Sequence, residues 1–330
     1  RFERLFDVLA DLYRHPVLDP EEIESEKAVI REEIAMVRDQ PSQYLEDLIS
    51  EAIWGPGHPL GRSITGTEES LDAFKRADVA DFHRRAYCGC NTVISVAGNI
   101  EHDAVLEIVS KRVADMAKGE PIPYLPGGIS PDRHRFHEES GQEQSHLALS
   151  FRNVDRYDKT RFAHKLLNVI LGENMSSRLF QTIREQKGLC YEVQSDMASF
   201  SDAGLLQIYL ALSPKNLKEA LYGISDILND LRENGVSDQE LEESKAYIIG
   251  QNRISLENTS AQMMWAGETL LFFDDWIDPE DSHRRVEEVT SADIRSAARI
   301  AFDLDTLCSA LIGPGTSHKV LTEWISACST

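Results

Sequence analysis

Glu26 and Glu33 are the side chains whose type and spacing most invite chemistry. They lie in Leu18-Asp-Pro-Glu-Glu-Ile-Glu-Ser-Glu-Lys-Ala-Val-Ile-Arg-Glu-Glu-Ile-Ala-Met36, which reads as a helix entered through Asp19-Pro20. At about 100° per residue, Ile23, Val29, Ile30, Ile34, Met36 and Val37 fall on one arc, while Glu24, Lys27 and Arg31 fall off it. Glu26 and Glu33 fall inside the apolar arc, two turns apart and nearly in register. A carboxylate in a core-facing stripe is costly unless it is protonated, ion-paired or bound to a metal. The pair is therefore expected to be buried and partnered, either by a local Arg or Lys or by a metal ion.

The elements that position this pair belong to a chain of 330 residues, 42% hydrophobic and 27% charged, which is enough for two ordinary domains. A formal charge of −22 argues against nucleic acid as the main partner, because phosphate binding needs a basic surface. No apolar run approaches the ~20 residues of a membrane helix. Five cysteines, an odd number, do not suggest a disulfide framework. Cys88-Gly-Cys90 has no second pair at zinc-knuckle spacing and reads as ordinary thiols. A reducing compartment, the cytoplasm before others, is the expectation.

The chain repeats itself. Residues 19–34, DPEEIESEKAVIREEI, are similar to residues 237–252, SDQELEESKAYIIGQN, and residues 71–100 are similar to 286–315. In the second pair of segments, a helix is followed by a short apolar strand ending in Ala-Gly or Ile-Gly. Two matches in the same order at nearly the same offset point to duplication. The copies differ where it matters: Glu26 corresponds to Ser244 and Glu33 to Gln251. One half is equipped with acids, and the other carries neutral residues. The second copy has far more sequence ahead of this helix, so about 80 residues of the first copy are expected upstream of Arg1.

Periodicity places helices at 3–14, 20–37, 43–53, 77–87 and 102–116, with a strand at Thr92–Ala97. Gly119-Glu-Pro-Ile-Pro-Tyr-Leu-Pro-Gly-Gly128 is a linker signal. Beyond it, strands are expected at about 145–151, 190–199 and 204–212, and helices at 160–171, 177–187, 215–234 and 238–256. His134-Arg-Phe-His137 reads as a solvated linker edge. The expected class is α+β: two homologous α/β-sandwich halves, each with helices on one face of a mostly antiparallel sheet, the first half incomplete. The expected bounds are 1–118 for the first half, 119–131 for the linker and 132–330 for the second half.

On these residues the chain resembles the pitrilysin, insulinase and mitochondrial processing peptidase family of zinc metallopeptidases. The carriers are Glu26-Lys-Ala-Val-Ile-Arg-Glu-Glu33-Ile, Asp39-Gln-Pro41, Pro59-Leu-Gly-Arg62 with Gly66, and Gly98-Asn99. In the second half they are Asn174-Met-Ser-Ser-Arg-Leu-Phe180 and Ile183-Arg-Glu-Gln-Lys-Gly-Leu-Cys-Tyr191. The resemblance implies that Glu33 is a zinc ligand and that Glu26 supports the metal from beside it. It also implies that Arg184 and Tyr191 reach the substrate backbone and the reacting carbonyl.

A zinc peptidase of this kind further needs an inverted His-x-x-Glu-His motif for two ligands and a general base. None of the ten histidines stands in that spacing. The resemblance therefore implies a zinc endopeptidase of the processing-peptidase type, acting on peptides or unfolded segments. As given, the chain would bind zinc poorly and be inactive alone. The competing expectation is a non-catalytic structural or substrate-binding subunit that pairs, as a homodimer or heterodimer, with an active member. A subunit long without zinc would have lost both acids, as the second copy did.

Overall fold

The computed structural model describes residues 1–128, 130, 132–139 and 143–328. In chain order the helices before the sheet are α1 (Phe2–Arg14), α2 (Pro20–Asp39), α3 (Pro41–Trp54), α4 (Glu68–Ala73), α5 (Arg76–Ala86) and α6 (His102–Val113). Next come β1 (His134–Glu138), β2 (Ser145–Asn153), α7 (Arg161–Asn168), β3 (Cys190–Ser199) and β4 (Gly204–Leu212). The chain continues through α8 (Leu217–Glu233), α9 (Asp238–Leu256), α10 (Thr259–Phe273), α11 (Pro279–Glu287), α12 (Ser291–Ala301), β5 (Cys308–Gly313) and α13 (Gly315–Cys328).

Two compact units are assembled from non-contiguous stretches. One comprises Arg1–Met36, Ile64–Tyr124 and Arg253–Asp278, and the other Val37–Ser63, Leu125–Asn252 and Pro279–Thr330. The second unit holds a five-stranded sheet in the order β1-β5-β2-β4-β3. Three of its ladders are antiparallel, and β1 runs parallel to β5. The mixed α/β class and the mostly antiparallel sheet thus agree with the sequence reading.

Alternation builds two cores on this sheet. Leu147, Leu149 and Phe151 of β2, Leu206, Ile208, Leu210 and Leu212 of β4, and Leu311 of β5 join one cluster with α7, α8, α12 and α13. The opposite side chains, among them Ala148, Ala211 and Ala310, meet Leu45, Ile49, Ala52 and Ile53 of α3. Small residues on that face let the helix lie close to the strands. A helix from early in the chain therefore covers the second face, which the expected one-sided arrangement did not include.

Two sequence expectations differ from what is found. His134–His137 is not a linker edge but lies in β1, held in register with β5, where His134 Nδ1 lies 2.9 Å from Ser309 Oγ. Thr92–Ala97 is not a strand, because no neighbouring strand pairs with it among the described residues. Backbone alternation suits a strand, but the ladder exists only with a partner. Instead Thr92 Oγ1 lies 2.7 Å from Tyr13 Oη, and Ser95 Oγ donates to the Met263 carbonyl at 2.7 Å. Thr92–Ala97, with Phe2, Leu5, Leu9 and Met263, lines an apolar concavity of about 490 Å³ in the first unit. Its counterpart in the repeat is β5, which is paired on both edges.

The sheet-side core also carries a titratable group. His164 of α7 is fully buried, and neither ring nitrogen has a hydrogen-bond partner among the described residues. Burial holds its pKa down at about 4. The unfolded chain takes up a proton below about pH 6.5 that the folded chain refuses. Stability from this source is complete above pH 6.5 and declines as pH falls, and by about pH 4 some 3 kcal/mol has gone, as an order of magnitude. Urea unfolding at pH 7.5 and 4.5 should therefore show a larger loss for the native chain than for His164→Leu. Equal losses in both would rule the histidine out.

Candidate metal-ligand and substrate-contact residues

α2 begins where Asp19 Oδ1 accepts from the Glu21 and Glu22 amides at 2.8 and 3.4 Å, satisfying donors that the first turn leaves free. Its inward row is not the one read from the sequence. Lys27 and Ile34 are buried, with Ile23, Ile30 and Val37 half-buried between and beyond them. Val29 and Met36 are 51% and 58% exposed, and Glu26 and Glu33 are exposed with them.

The reason is Lys27. Its aliphatic stem buries while Nζ stays 2.9 Å from Glu24 Oε1, and a count of apolar residues alone cannot see that. Glu26 and Glu33 are therefore not buried acids in search of a counter-charge. Among the described residues neither side chain makes a hydrogen bond or an ion pair. Both stand free on one stripe of the helix, about 10.5 Å apart along its axis.

The repeat is legible in the structure. In α9, Lys245 is also buried and pairs with Glu242 Oε1 at 2.9 Å, three residues earlier, as Lys27 does with Glu24. With the two helices aligned on this pair, Glu26 matches Ser244, which is buried and donates to the Glu240 carbonyl at 2.8 Å. Glu33 matches the exposed Gln251. The fold thus keeps the Lys–Glu pair in both copies and does not require acids at the other two positions.

Arg184 and Tyr191 lie in the second unit, and the structure brings them together. α7 runs on into a π-helical turn, Val169–Glu173, and a second π-helical stretch spans Phe180–Gln186. Gly172 is required within the first, because a Cβ there would lie 2.6 Å from the Ser195 amide nitrogen. Ile183 anchors the second stretch in the core. Gly188, with φ +60°, ends it, and the Leu189 amide donates back to the Ile183 carbonyl at 3.0 Å.

The strand β3 then opens on an irregularity. Cys190 opposes Leu212 and Glu192 opposes Ala211, so Tyr191 is the extra residue of a β-bulge. The bulge turns Tyr191 outward, leaving it 74% exposed. Its ring lies 5.6 Å from the Arg184 guanidinium carbon, which also lies 4.7 Å from the Phe180 ring. Two aromatic faces hold the guanidinium, and its N–H groups make no hydrogen bond or ion pair among the described residues. Such a group can donate to a carbonyl or a carboxylate.

Sequence reasoning missed Arg178. Its guanidinium donates to both carboxylate oxygens of Glu240 at 2.8 Å, to Asp230 at 2.7 Å and to the Gly235 carbonyl at 3.0 Å. This ties the Asn174–Phe180 segment to α8 and α9. Burial works against its charge, but the Glu240 and Asp230 carboxylates outweigh that and raise its pKa. The bulge did leave a signal: Val193 and Ser195 are inward, so strict alternation would send Tyr191 inward as well. Cys190, half-buried, takes that place instead.

Among the described residues no cluster of three or more His, Cys, Asp or Glu could hold a metal ion. The residues present do not by themselves fit a zinc site: Glu33 offers a free carboxylate, one ligand of the several needed. No helix is long and apolar enough to cross a membrane among the described residues.

Comparison with known proteins gives a consistent result. Residues 1–68 match the model "Insulinase (Peptidase family M16)", and residues 73–248 match "Peptidase M16 inactive domain". The chain is 34% identical over 285 residues to an uncharacterized zinc protease of Bacillus subtilis, YmxG, covering 86% of this chain and 67% of that protein. It is 29% identical over 325 residues to an uncharacterized zinc protease of Mycobacterium tuberculosis, covering 97% of this chain and 74% of the relative. In fold it is similar to a peptidase M16 inactive domain from Pseudomonas fluorescens, with TM-score 0.86 and 22% identity over 95% of this chain and 74% of the other. A protease from Helicobacter pylori gives TM-score 0.84 and 18% identity over 94% and 76%.

Proposed function

Because this chain belongs to family M16, the insulinase family of zinc peptidases, we propose that it is the greater part of a zinc endopeptidase acting on peptides or unfolded segments. The observation that carries this reading is the contrast between α2 and α9. The two helices share a buried Lys paired with an exposed Glu three residues earlier, yet only α2 presents free carboxylates where α9 has Ser244 and Gln251. Carboxylates that the fold does not need are retained for chemistry.

In this reading Glu33 would be the carboxylate ligand of the metal, and Glu26, two turns away, would support it. The histidine pair and the general base come from outside these 330 residues, since none of the ten histidines here has the required spacing. Residues 1–118 then form the later part of the zinc-binding half. Residues 119–131 are a linker, and residues 132–330 form a half that binds substrate through Arg184 and Tyr191. The guanidinium donates to a substrate carbonyl, and the exposed phenol, beside it on the bulge, offers a second donor. Bound zinc would supply Lewis acidity and an activated water.

A second reading is kept, because residues 73–248 match a model named for an inactive domain. There the chain is a substrate-binding or structural subunit, dimerising with an active member. Isothermal titration separates the two. The 330-residue chain should bind zinc weakly, and the polypeptide extended to carry His-x-x-Glu-His should bind one zinc tightly and cleave an unfolded peptide. Tight one-to-one binding by the 330 residues would overturn the proposed division of ligands. An extended polypeptide that binds zinc but cleaves nothing would favour the subunit reading.

A further inference from the structure

Cys88 and Cys90 face each other at the end of α5 with their sulfurs 3.5 Å apart. The short turn Gly89–Asn91 is pinned from outside, since the Gly89 and Cys90 amides donate to the Ala117 and Lys118 carbonyls, each at 2.8 Å. Cys88 is 2% exposed and Cys90 is exposed. The Cys88 sulfur is seated against Gly119, where any Cβ would lie 2.2 Å from it, and it accepts from Asn91 Nδ2 at 3.2 Å. Cys90 is thus an exposed residue, with the buried Cys88 sulfur held beside its own.

We propose that Cys88 and Cys90 are a modification site, a dithiol that closes to an intrachain disulfide by exchange with a low-molecular-weight disulfide. The Cys90 thiolate attacks one sulfur of glutathione disulfide, forming a mixed disulfide and releasing one glutathione thiolate. Cys88 then attacks the Cys90 sulfur, the Cys90–glutathione bond breaks, and a second glutathione leaves. The two electrons lost by the cysteines reduce the glutathione disulfide, and the two thiol protons pass to the departing thiolates or to solvent. The sulfurs must close from 3.5 Å to about 2.05 Å, which rotation of the exposed Cys90 side chain supplies.

Partial desolvation, and then the neighbouring Cys88 sulfur, hold the Cys90 thiol above the usual range, so exchange quickens as pH rises toward it. Burial pushes the Cys190 and Cys308 thiols up to about 11, so they compete poorly.

The test is incubation of the whole chain with glutathione disulfide at mildly alkaline pH, alkylation of the remaining thiols, and intact and peptide mass analysis. The expected product has lost two hydrogens, carries a Cys88–Cys90 link, and exceeds the mixed disulfide by about tenfold, since closure is intramolecular. Cys88→Ser should instead accumulate glutathione on Cys90. Cys90→Ser, at an exposed position that does not threaten folding, should show neither the link nor an adduct at Cys88. The proposal is overturned if the native chain holds the adduct on Cys90 as fully as Cys88→Ser does. It is equally overturned if both thiols of the native chain remain free to alkylate after incubation.

Discussion

Replacing Glu33 by Gln should lower kcat/KM for peptide hydrolysis by about 10³-fold in a polypeptide that also supplies the histidine pair. The change removes an anionic oxygen donor and keeps the shape of the side chain. Glu33 is exposed and unpartnered, so its loss should leave folding within about 0.5 kcal/mol of the native value. Glu26→Gln should cost less, about 10–100-fold, because in the proposed role it acts on the metal through its surroundings. Measuring bound zinc beside kcat/KM distinguishes the two roles. Glu33→Gln should lose metal and activity together, whereas Glu26→Gln should lose activity while retaining more metal. If Glu26→Gln is the more damaging of the two, the assignment is reversed. Full activity in both variants would remove α2 from the chemistry altogether.

Arg178→Met should destabilise the chain by about 2–3 kcal/mol. The guanidinium is only 20% exposed at the side chain and meets carboxylates that are 30% exposed on Glu240 and 50% exposed on Asp230. Removing it leaves two acids facing each other with their counter-charge gone, which costs more than the pair itself contributes. The estimate lies below that for a fully buried pair because solvent screens this one. In urea unfolding the midpoint should fall with an unchanged slope. Pairing Arg178→Met with Glu240→Leu should recover part of the loss. If the double variant is no better than the single one, the network is not what holds the segment.

What the sequence revealed and what it concealed follow from how local each signal is. α9, β3 and β4 were legible almost to the residue, because their periodicities are long and Gly188 and the turn between β3 and β4 punctuate them. Thr92–Ala97 carried a valid strand pattern, but whether a strand pairs is a property of its neighbours, and no local reading contains that. The face of α2 was misread because an amphipathic lysine was scored as polar throughout its length. Glu26 and Glu33 were still singled out, though for a burial that they do not have. The contrast with Ser244 and Gln251 was the sounder signal, and it needed only the repeat. Tyr191 and Arg184 came from resemblance alone. Their proximity depends on a bulge and on π-helical turns, which shift phase by one residue and leave composition untouched. Arg178 went unmarked because its partners lie 52 and 62 residues away along the chain.

The unpaired stretch Thr92–Ala97 beside its apolar concavity also governs how this polypeptide behaves in a tube. Leu5, Val8, Leu9 and Leu12 of α1 are all more than half exposed, and Thr92–Ala97, which pairs with no strand among the described residues, lines the concavity. Together these are a template for association between copies. Opposing that is a charge of −22, which repels like molecules. The screening length shrinks from about 30 Å at 0.01 M salt to about 8 Å at 0.15 M. Light scattering should therefore show little association in dilute buffer and more at 0.15 M salt.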